Sequence, residues 1–363
     1  MRVRPRLGTP SLLVVGFLAA TLGVFVPCAV ATGGGEDNGQ RLRSLEIYFV
    51  DTEGGAATLI VTPERESILV DCGNPGERDP GRIARVARDI AGLSRIDHLV
   101  ITHWHLDHVG GVERLAELIP IGAFYDHGVP EPPTTDIRAQ DVAAYRKVTG
   151  GKSRVLRPGD TIPLRAGTAG PAPSLRVLAA HGLVLGETGD KIQPPCAKGH
   201  EAQPIDGSDN AKSVAFVLAF GGFKFFDGGD LTWNVEHKLV CPENIPGRVD
   251  VYQSNHHGLD ISNNPALIAA LAPRVAVVNN GAKKGAEPGT LRALRAASGL
   301  EAVFQLHRRL GGDAKDNSPP ELIANDAEEC KGEFVKVSVD PDGKSYTVSV
   351  PSKRTEKKYA VRS

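Results

Sequence analysis

Three things are scarce in this sequence. Aromatic residues make up only 5% of the chain, so no broad surface for stacking sugars or bases is advertised. Neither sign of charge prevails: 42 Lys and Arg face 43 Asp and Glu, a formal net charge of -1. A nucleic-acid partner held through phosphate contacts is therefore not supported by charge. No apolar run reaches the roughly 20 residues that a spanning helix needs; the longest, 12–26, ends at Pro27.

What is present has globular proportions. The 363 residues are 41% hydrophobic and 23% charged, with 41 Gly and 26 Pro. Such a length buries a sizeable core. The N-terminus reads separately from the rest. Arg2, Arg4 and Arg6 precede the apolar run, and Ala29-Val30-Ala31 offers small residues to a signal peptidase. This is the order of a secretory signal. We expect cleavage after residue 31 and a secreted or periplasmic location, with no membrane span left in the mature chain. Removal of residues 1–31 takes three arginines and no acid, so the mature chain is mildly acidic. Residues 32–44 read as a flexible linker, 45–350 as one domain and 351–363 as a basic tail in solvent.

Four cysteines remain after such cleavage: Cys72, Cys196, Cys241 and Cys330. An oxidising compartment allows two disulfides among them. Cys196 with Cys241 is the first pairing to consider. Cys72 follows an apolar stretch and reads as a core thiol.

From residue 45 the pattern is regular. Short strands are expected at 45–51, 56–62, 67–71 and 97–102, with helices at 80–91 and 109–118. The second half repeats the alternation, with strands at 175–180, 213–220, 223–226, 249–254, 274–278 and 302–306. Helices are expected at 233–240, 265–271 and 287–297, and a hairpin at 334–350 turns at Pro341-Asp342-Gly343. Hairpins first and strand–helix units after, in both halves, predict an α/β (α+β) fold of two packed sheets with helices outside. Loops fill 127–135, with three prolines, and 183–210.

The chemistry concentrates in Thr102-His103-Trp104-His105-Leu106-Asp107-His108. Three histidines and an aspartate fall in six positions between an expected strand and an expected helix. Packing needs no such run, and imidazole nitrogen with carboxylate oxygen suits zinc, manganese or iron. Asp230 in Asp227-Gly228-Gly229-Asp230 follows a later strand, where it is either a ligand or a helix cap; Asp227 competes for the same part. Ser254-Asn255-His256-His257-Gly258 follows another strand. Adjacent side chains in extended backbone point apart, so only one of the two histidines is expected to face an ion.

The histidine run resembles the signature of the metallo-β-lactamase fold superfamily, and the resemblance covers about 45–350. It implies a four-layer αββα sandwich holding two divalent ions, Zn2+ first, with Mn2+ or Fe as the other candidates. By that resemblance His103 and His105 hold metal one, Asp107 and His108 metal two, and Asp230 bridges. His256 is the last ligand and His257 a contact to the substrate or transition state, or the two parts are reversed. Asp107 and His257 would thus work at the reacting atoms. Asp71 matches the aspartate that supports the histidine loop, with a plain turn aspartate as the alternative. Many members of the superfamily supply another histidine to metal one. His127, His181 and His200 lie in the relevant interval without confirming context, and His181 is the best placed of them.

The same run, the Asn210 to Ser213 segment, Gly228-Gly229-Asp230, His256-His257-Gly258 and Val278-Asn279-Asn280-Gly281 also resemble the hydrolase domain of ComEC-type competence proteins and bacterial phosphorylcholine esterases. That branch implies phosphodiester cleavage, with Asn280 or Lys283 contacting the substrate. Lys283-Lys284 reads equally well as a solvated turn. Two departures concern the substrate more than the metals: Thr52-Glu53-Gly54-Gly55 in the first loop, and Ala286-Glu287-Pro288 after a late strand. His307 reads as structural. A lactamase- or lactonase-type hydrolase, and a binding protein on this scaffold, are the alternatives to a phosphodiesterase acting on a small-molecule or phosphodiester substrate.

Overall fold

The structure is a computed structural model that describes residues 43–129, 133–167, 170–187 and 202–362. The expected signal segment, almost all of the expected linker, Cys196 and His200 lie outside the described residues. Among the described residues there are two nine-stranded sheets, and no helix is long and apolar enough to cross a membrane.

The first sheet is built around Leu45–Phe49, Thr58–Val61 and Ser67–Val70, an antiparallel meander. Ile96–Val100 and Ile121–Asp126 then add in parallel. The second sheet pairs Ser174–Ala180, Ala215–Phe220 and Phe223–Asp227 antiparallel. Val251–Gln253, Val275–Val278 and Ala302–His307 follow in parallel. These last three strands are buried throughout, as strands covered on both faces must be.

Period-two alternation builds the layers. Leu45, Ile47 and Phe49 join the central cluster with Phe216, Phe225 and Val277, whereas Tyr48 faces the other way, towards Ile83, Leu115 and Tyr145. The Phe49 and Phe225 rings meet edge to face at 5.7 Å and tie the sheets together. A third cluster packs Leu267, Leu271, Leu291 and Leu294 on the outer face of the second sheet. Helix, sheet, sheet, helix is thus the layer order. Caps set where the outer helices begin: Asn264 accepts from the Ala266 N–H, and Pro265 occupies the first turn of Pro265–Leu271.

Three segments depart from expectation. Ile121–Asp126 is a strand and Ala139–Thr149 a helix, neither of which the residue pattern announced. The expected solvated tail is instead structured in its described part, 351–362: Thr355–Ala360 pairs along the whole of Ser345–Val350 as an edge strand. Its composition, Thr-Glu-Lys-Lys-Tyr-Ala, buries only Tyr359, and charged side chains are what an unpaired sheet edge commonly carries. Cys241 is disulfide-bonded, while Cys72 and Cys330 are free thiols.

Candidate metal centre

The parallel strands of both sheets deliver polar residues from their carboxyl ends to one side, where binding crevices form in such sheets. Asp71 follows Ser67–Val70, and the histidine run follows Ile96–Val100. Asp230 comes just after Phe223–Asp227, and His256 and His257 come after Val251–Gln253.

His103, His108 and Asp230 bring one ligand atom each within 4.8 Å of one another, and so do Asp107, His108 and His257. Asp230 Oδ2 is 3.2 Å from His108 Nε2, 3.3 Å from His257 Nε2 and 3.8 Å from His103 Nε2. His257 Nε2 also lies 3.3 Å from Asp107 Oδ2. Asp230 therefore occupies the middle, and Asp227 does not join it: its Oδ1 accepts from the Gly229 N–H. Gly229 is what allows the approach. Its φ is +54°, and a Cβ there would stand 2.9 Å from Thr102 Cβ.

Asp71 stands behind His108. Its Oδ2 accepts from His108 Nδ1 and from the Thr102 hydroxyl, each at 2.7 Å, and its Oδ1 accepts from the Thr102 N–H at 2.7 Å. This fixes the His108 tautomer and leaves Nε2 facing Asp230. His105 is held the same way from outside, with Nε2 2.6 Å from Asp136 Oδ2. Its ring centroid is 4.6 Å from that of His103, and Nδ1 is the atom left for an ion.

The electrostatics are those of a group of residues suited to a cation. Burial would strip the proton from His108, but Asp230, Asp71 and Asp107 outweigh it and hold its pKa well above the usual range. Burial and the neighbouring His108 push His103 well below it. Burial would raise Asp230, yet the surrounding histidines bring it well down.

Three expectations need correction. The histidine grouped with Asp107 and His108 is His257, not His256. His256 also turns inward, its Nε2 3.5 Å from Asp230 Oδ2, with Nδ1 on the Ser262 hydroxyl at 3.2 Å. Both histidines sit in the left-handed region, φ 52° and 55°, so the alternation that would separate them does not apply. Lys283 is exposed and paired with Glu328; its neighbour Lys284 reaches Asp107 Oδ2 instead. Asn280 is buried, with its amide donating to the Gly281 and His307 carbonyls, so it supports backbone and contacts no reacting group. Of the histidines considered for metal one, His127 and His181 face each other, 3.5 Å between Nδ1 atoms. His127 Nε2 lies 3.2 Å from Asp209 Oδ2.

Divalent ions fit these residues. His103 Nε2 and Asp230 Oδ1 are buried without a hydrogen-bond partner, an expense that an ion would remove. The donors, imidazole nitrogens and carboxylate oxygens, are those zinc accepts.

Parts of the sequence are similar to known proteins. Residues 50–213 match the family described as the metallo-beta-lactamase superfamily. A UPF0173 metal-dependent hydrolase of Anaeromyxobacter sp. (strain K) is 26% identical over 251 residues, 67% of this chain and 78% of that protein. An atrochrysone carboxyl ACP thioesterase of Aspergillus terreus is 38% identical over 66 residues, 18% of this chain and 20% of that one. Among solved structures, CmlA, a diiron beta-hydroxylase from Streptomyces venezuelae, superposes with a TM-score of 0.41 at 18% identity over 72% of this chain. The chain spans about half the length of that hydroxylase, 52%. Residues 50–213, which carry the histidine loop, are thus similar to the metallo-beta-lactamase superfamily, and the helix–sheet–sheet–helix layering of the chain is consistent with a sandwich of that kind.

Proposed function

We propose that this protein is an exported phosphodiesterase using two divalent ions; the coarser statement, a metal-dependent hydrolase of the metallo-beta-lactamase superfamily, rests on the family match and the curated relatives. The observation that carries the two-ion reading is that two ligand groups, His103–His108–Asp230 and Asp107–His108–His257, share His108, with Asp230 Oδ2 3.2 Å from His108 Nε2 and 3.3 Å from His257 Nε2. His103, His105 and Asp230 would hold one ion; Asp107, His108 and His257 the other, with Asp230 shared. When bound, such ions supply Lewis acidity and lower the pKa of water towards neutrality.

The chain's own residues do the rest. Asp71 and Asp136 orient His108 and His105. Lys284 sets an ammonium beside Asp107, and once Asp107 turns to an ion that ammonium is available to an anionic oxygen of the substrate. A cation beside the ions suits an anionic substrate such as a phosphodiester. Export is supported by Arg2 to Ala31 and by the disulfide at Cys241; a mature N-terminus at Thr32, read by mass spectrometry, tests it.

The test of function is turnover of bis(p-nitrophenyl) phosphate by protein carrying two ions per chain, with a thioester, a lactone and a β-lactam assayed beside it. Diester turnover lost on chelation and regained with zinc or manganese supports the proposal. Turnover of the acyl substrates alone refutes it in favour of the ester or amide reading. Two bound ions without turnover of any class leave a binding protein.

A further inference from the structure

A second constellation of ligand-type side chains lies next to the hydrolytic centre and takes no part in it. Three distant segments meet there: Asp51 and Glu53 after the first strand, His307 at the end of Ala302–His307, and Cys330 ahead of Val335–Val339. His307 Nε2 is 2.8 Å from Asp51 Oδ1 and 3.8 Å from Cys330 Sγ. Cys330 Sγ is 3.3 Å from Asp51 Oδ2 and 4.0 Å from Glu53 Oε1. One ligand atom from each of the four lies within 4.8 Å of every other. Asp51 and His307 are fully buried, and the Cys330 thiol is free.

We propose that Asp51, Glu53, His307 and Cys330 form a separate site for one thiophilic divalent ion of the zinc type. Geometry supports it first. Bonds of about 2.0 to 2.3 Å in a tetrahedron place neighbouring ligand atoms about 3.3 to 3.8 Å apart. The His307–Cys330 distance already lies there, the Glu53 contact is slightly long, and the hydrogen bond between Asp51 Oδ1 and His307 must open by about half an ångström; the 3.3 Å Cys330 contact is to Asp51 Oδ2, the oxygen held by Arg82. The donor set supports it next: thiolate and imidazole with two carboxylates is a zinc-type mixture rather than a calcium or magnesium one.

Arg82 is the competitor to be weighed. Its guanidinium touches Asp51 Oδ2 at 2.8 Å, Glu53 Oε1 at 3.1 Å and Cys330 Sγ at 3.4 Å. It need not leave. Asp51 can keep Oδ2 on Arg82 while Oδ1, now on His307, turns to the ion. A divalent ion that replaces one proton on His307 and one on Cys330 leaves the summed charge of the pocket unchanged. Such an ion would pin the loop after the first strand. That loop forms a wall of the hydrolytic centre: the Ala56 N–H donates to the Asp107 carbonyl at 3.1 Å, and Gly54 packs on Lys284.

The experiment is cobalt(II) loading of the full chain after stripping with chelator. The hydrolytic centre offers only nitrogen and oxygen donors, and Cys72 is sealed in the core with its thiol on the His108 carbonyl at 3.2 Å. A thiolate-to-cobalt charge-transfer band in the near ultraviolet therefore reports on Cys330. The band is expected in the unaltered protein and in Asp230→Asn. Cys330→Ser is expected to lose it together with one ion per chain, keeping the visible bands of the hydrolytic centre. A second readout needs no variant: zinc should slow the reaction of Cys330 with a thiol reagent at least about tenfold. No band in the unaltered protein, a band that survives Cys330→Ser, or a thiol whose reactivity ignores zinc would overturn the proposal.

Discussion

Asp71→Asn is the sharpest probe of the hydrolytic centre, because the change removes one charge and almost no volume. Asp71 sits at φ 61°, a backbone region asparagine tolerates well, so the turn survives. The carboxylate accepts three hydrogen bonds, from His108 Nδ1, the Thr102 hydroxyl and the Thr102 N–H. An amide has one oxygen for them. With that oxygen on the Thr102 N–H, its NH2 faces His108 Nδ1 and drives the ring proton to Nε2. That is the atom 3.2 Å from Asp230 Oδ2 on which an ion depends.

Removing such a support for a ligand histidine lowers metal affinity by about 10- to 100-fold, or about 1.4 to 2.7 kcal/mol. The opposite amide orientation keeps His108 intact but sets NH2 against the buried Thr102 N–H, which costs stability by about 1 to 3 kcal/mol. Competitive titration against a chromophoric chelator reads the first outcome, and urea unfolding of metal-free protein the second. One of the two must move. A variant with affinity within about twofold and stability within about 0.5 kcal/mol of the parent would refute the role assigned to Asp71.

Three further outcomes are expected. Gly229→Ala forces a side chain into the left-handed region and against Thr102; we expect about 1 to 3 kcal/mol of lost stability and weakened metal binding, measured by unfolding and by metal titration. Lys284→Ala should lower kcat/KM for a phosphodiester about 10- to 100-fold, while Lys283→Ala stays within about twofold, because Lys283 pairs with Glu328 at the surface. Glu236 is fully buried, and burial pushes its carboxyl up to about 7 in spite of three N–H donors. Its folded pKa exceeds the unfolded value of 4.5, so the folded state retains the proton in between. Metal-free stability should therefore fall as pH rises from about 4.5 to about 7, by at most about 3 kcal/mol. Urea unfolding at both ends of that window shows it, and Glu236→Gln should reduce the slope, leaving the part due to Asp227, whose carboxyl burial also raises to about 7.

Much of this was readable from residues alone, for physical reasons. Alternation places Leu45, Ile47 and Phe49 inward because an antiparallel strand has no choice of face. Prolines mark the starts of Pro265–Leu271 and Pro288–Ala296 because they suit a first turn. Ile121–Asp126 escaped because it is half exposed and interrupted by Gly122. Thr355–Ala360 escaped because an edge strand with one buried residue has the composition of a tail. Lys283 and Lys284 could not be told apart because the turn closed by the Gly281 N–H on the Lys284 carbonyl decides which one points inward. The grouping of Asp51 with His307 and Cys330 spans 279 positions, and no local pattern announces a contact of that range.

The paired histidines explain an absence that spacing alone left puzzling. Among the described residues, neither candidate from the middle of the chain is free to serve metal one: His127 and His181 are engaged with each other, and His127 with Asp209. An extended His256-His257 pair would have offered only one ring to the centre. Two consecutive left-handed residues offer both, with Nε2 atoms 3.5 and 3.3 Å from the same Asp230 oxygen. His257 completes the group of Asp107 and His108, and His256 stands at Asp230 from the side of Asn210, whose amide nitrogen lies 3.4 Å from its Nε2. The dyad thus offers a donor beside Asp230 that His127 and His181 do not supply. Left-handed backbone costs roughly 1 to 2 kcal/mol per residue, and strain of this kind gathers at functional sites. If the second histidine serves as that donor, His256→Ala should weaken binding of one ion and leave the other in place, while His257→Ala should do the same to its counterpart; metal titration of the two variants would show two different ions lost. Loss of neither ion in His256→Ala would return the residue to a packing role against Ser262.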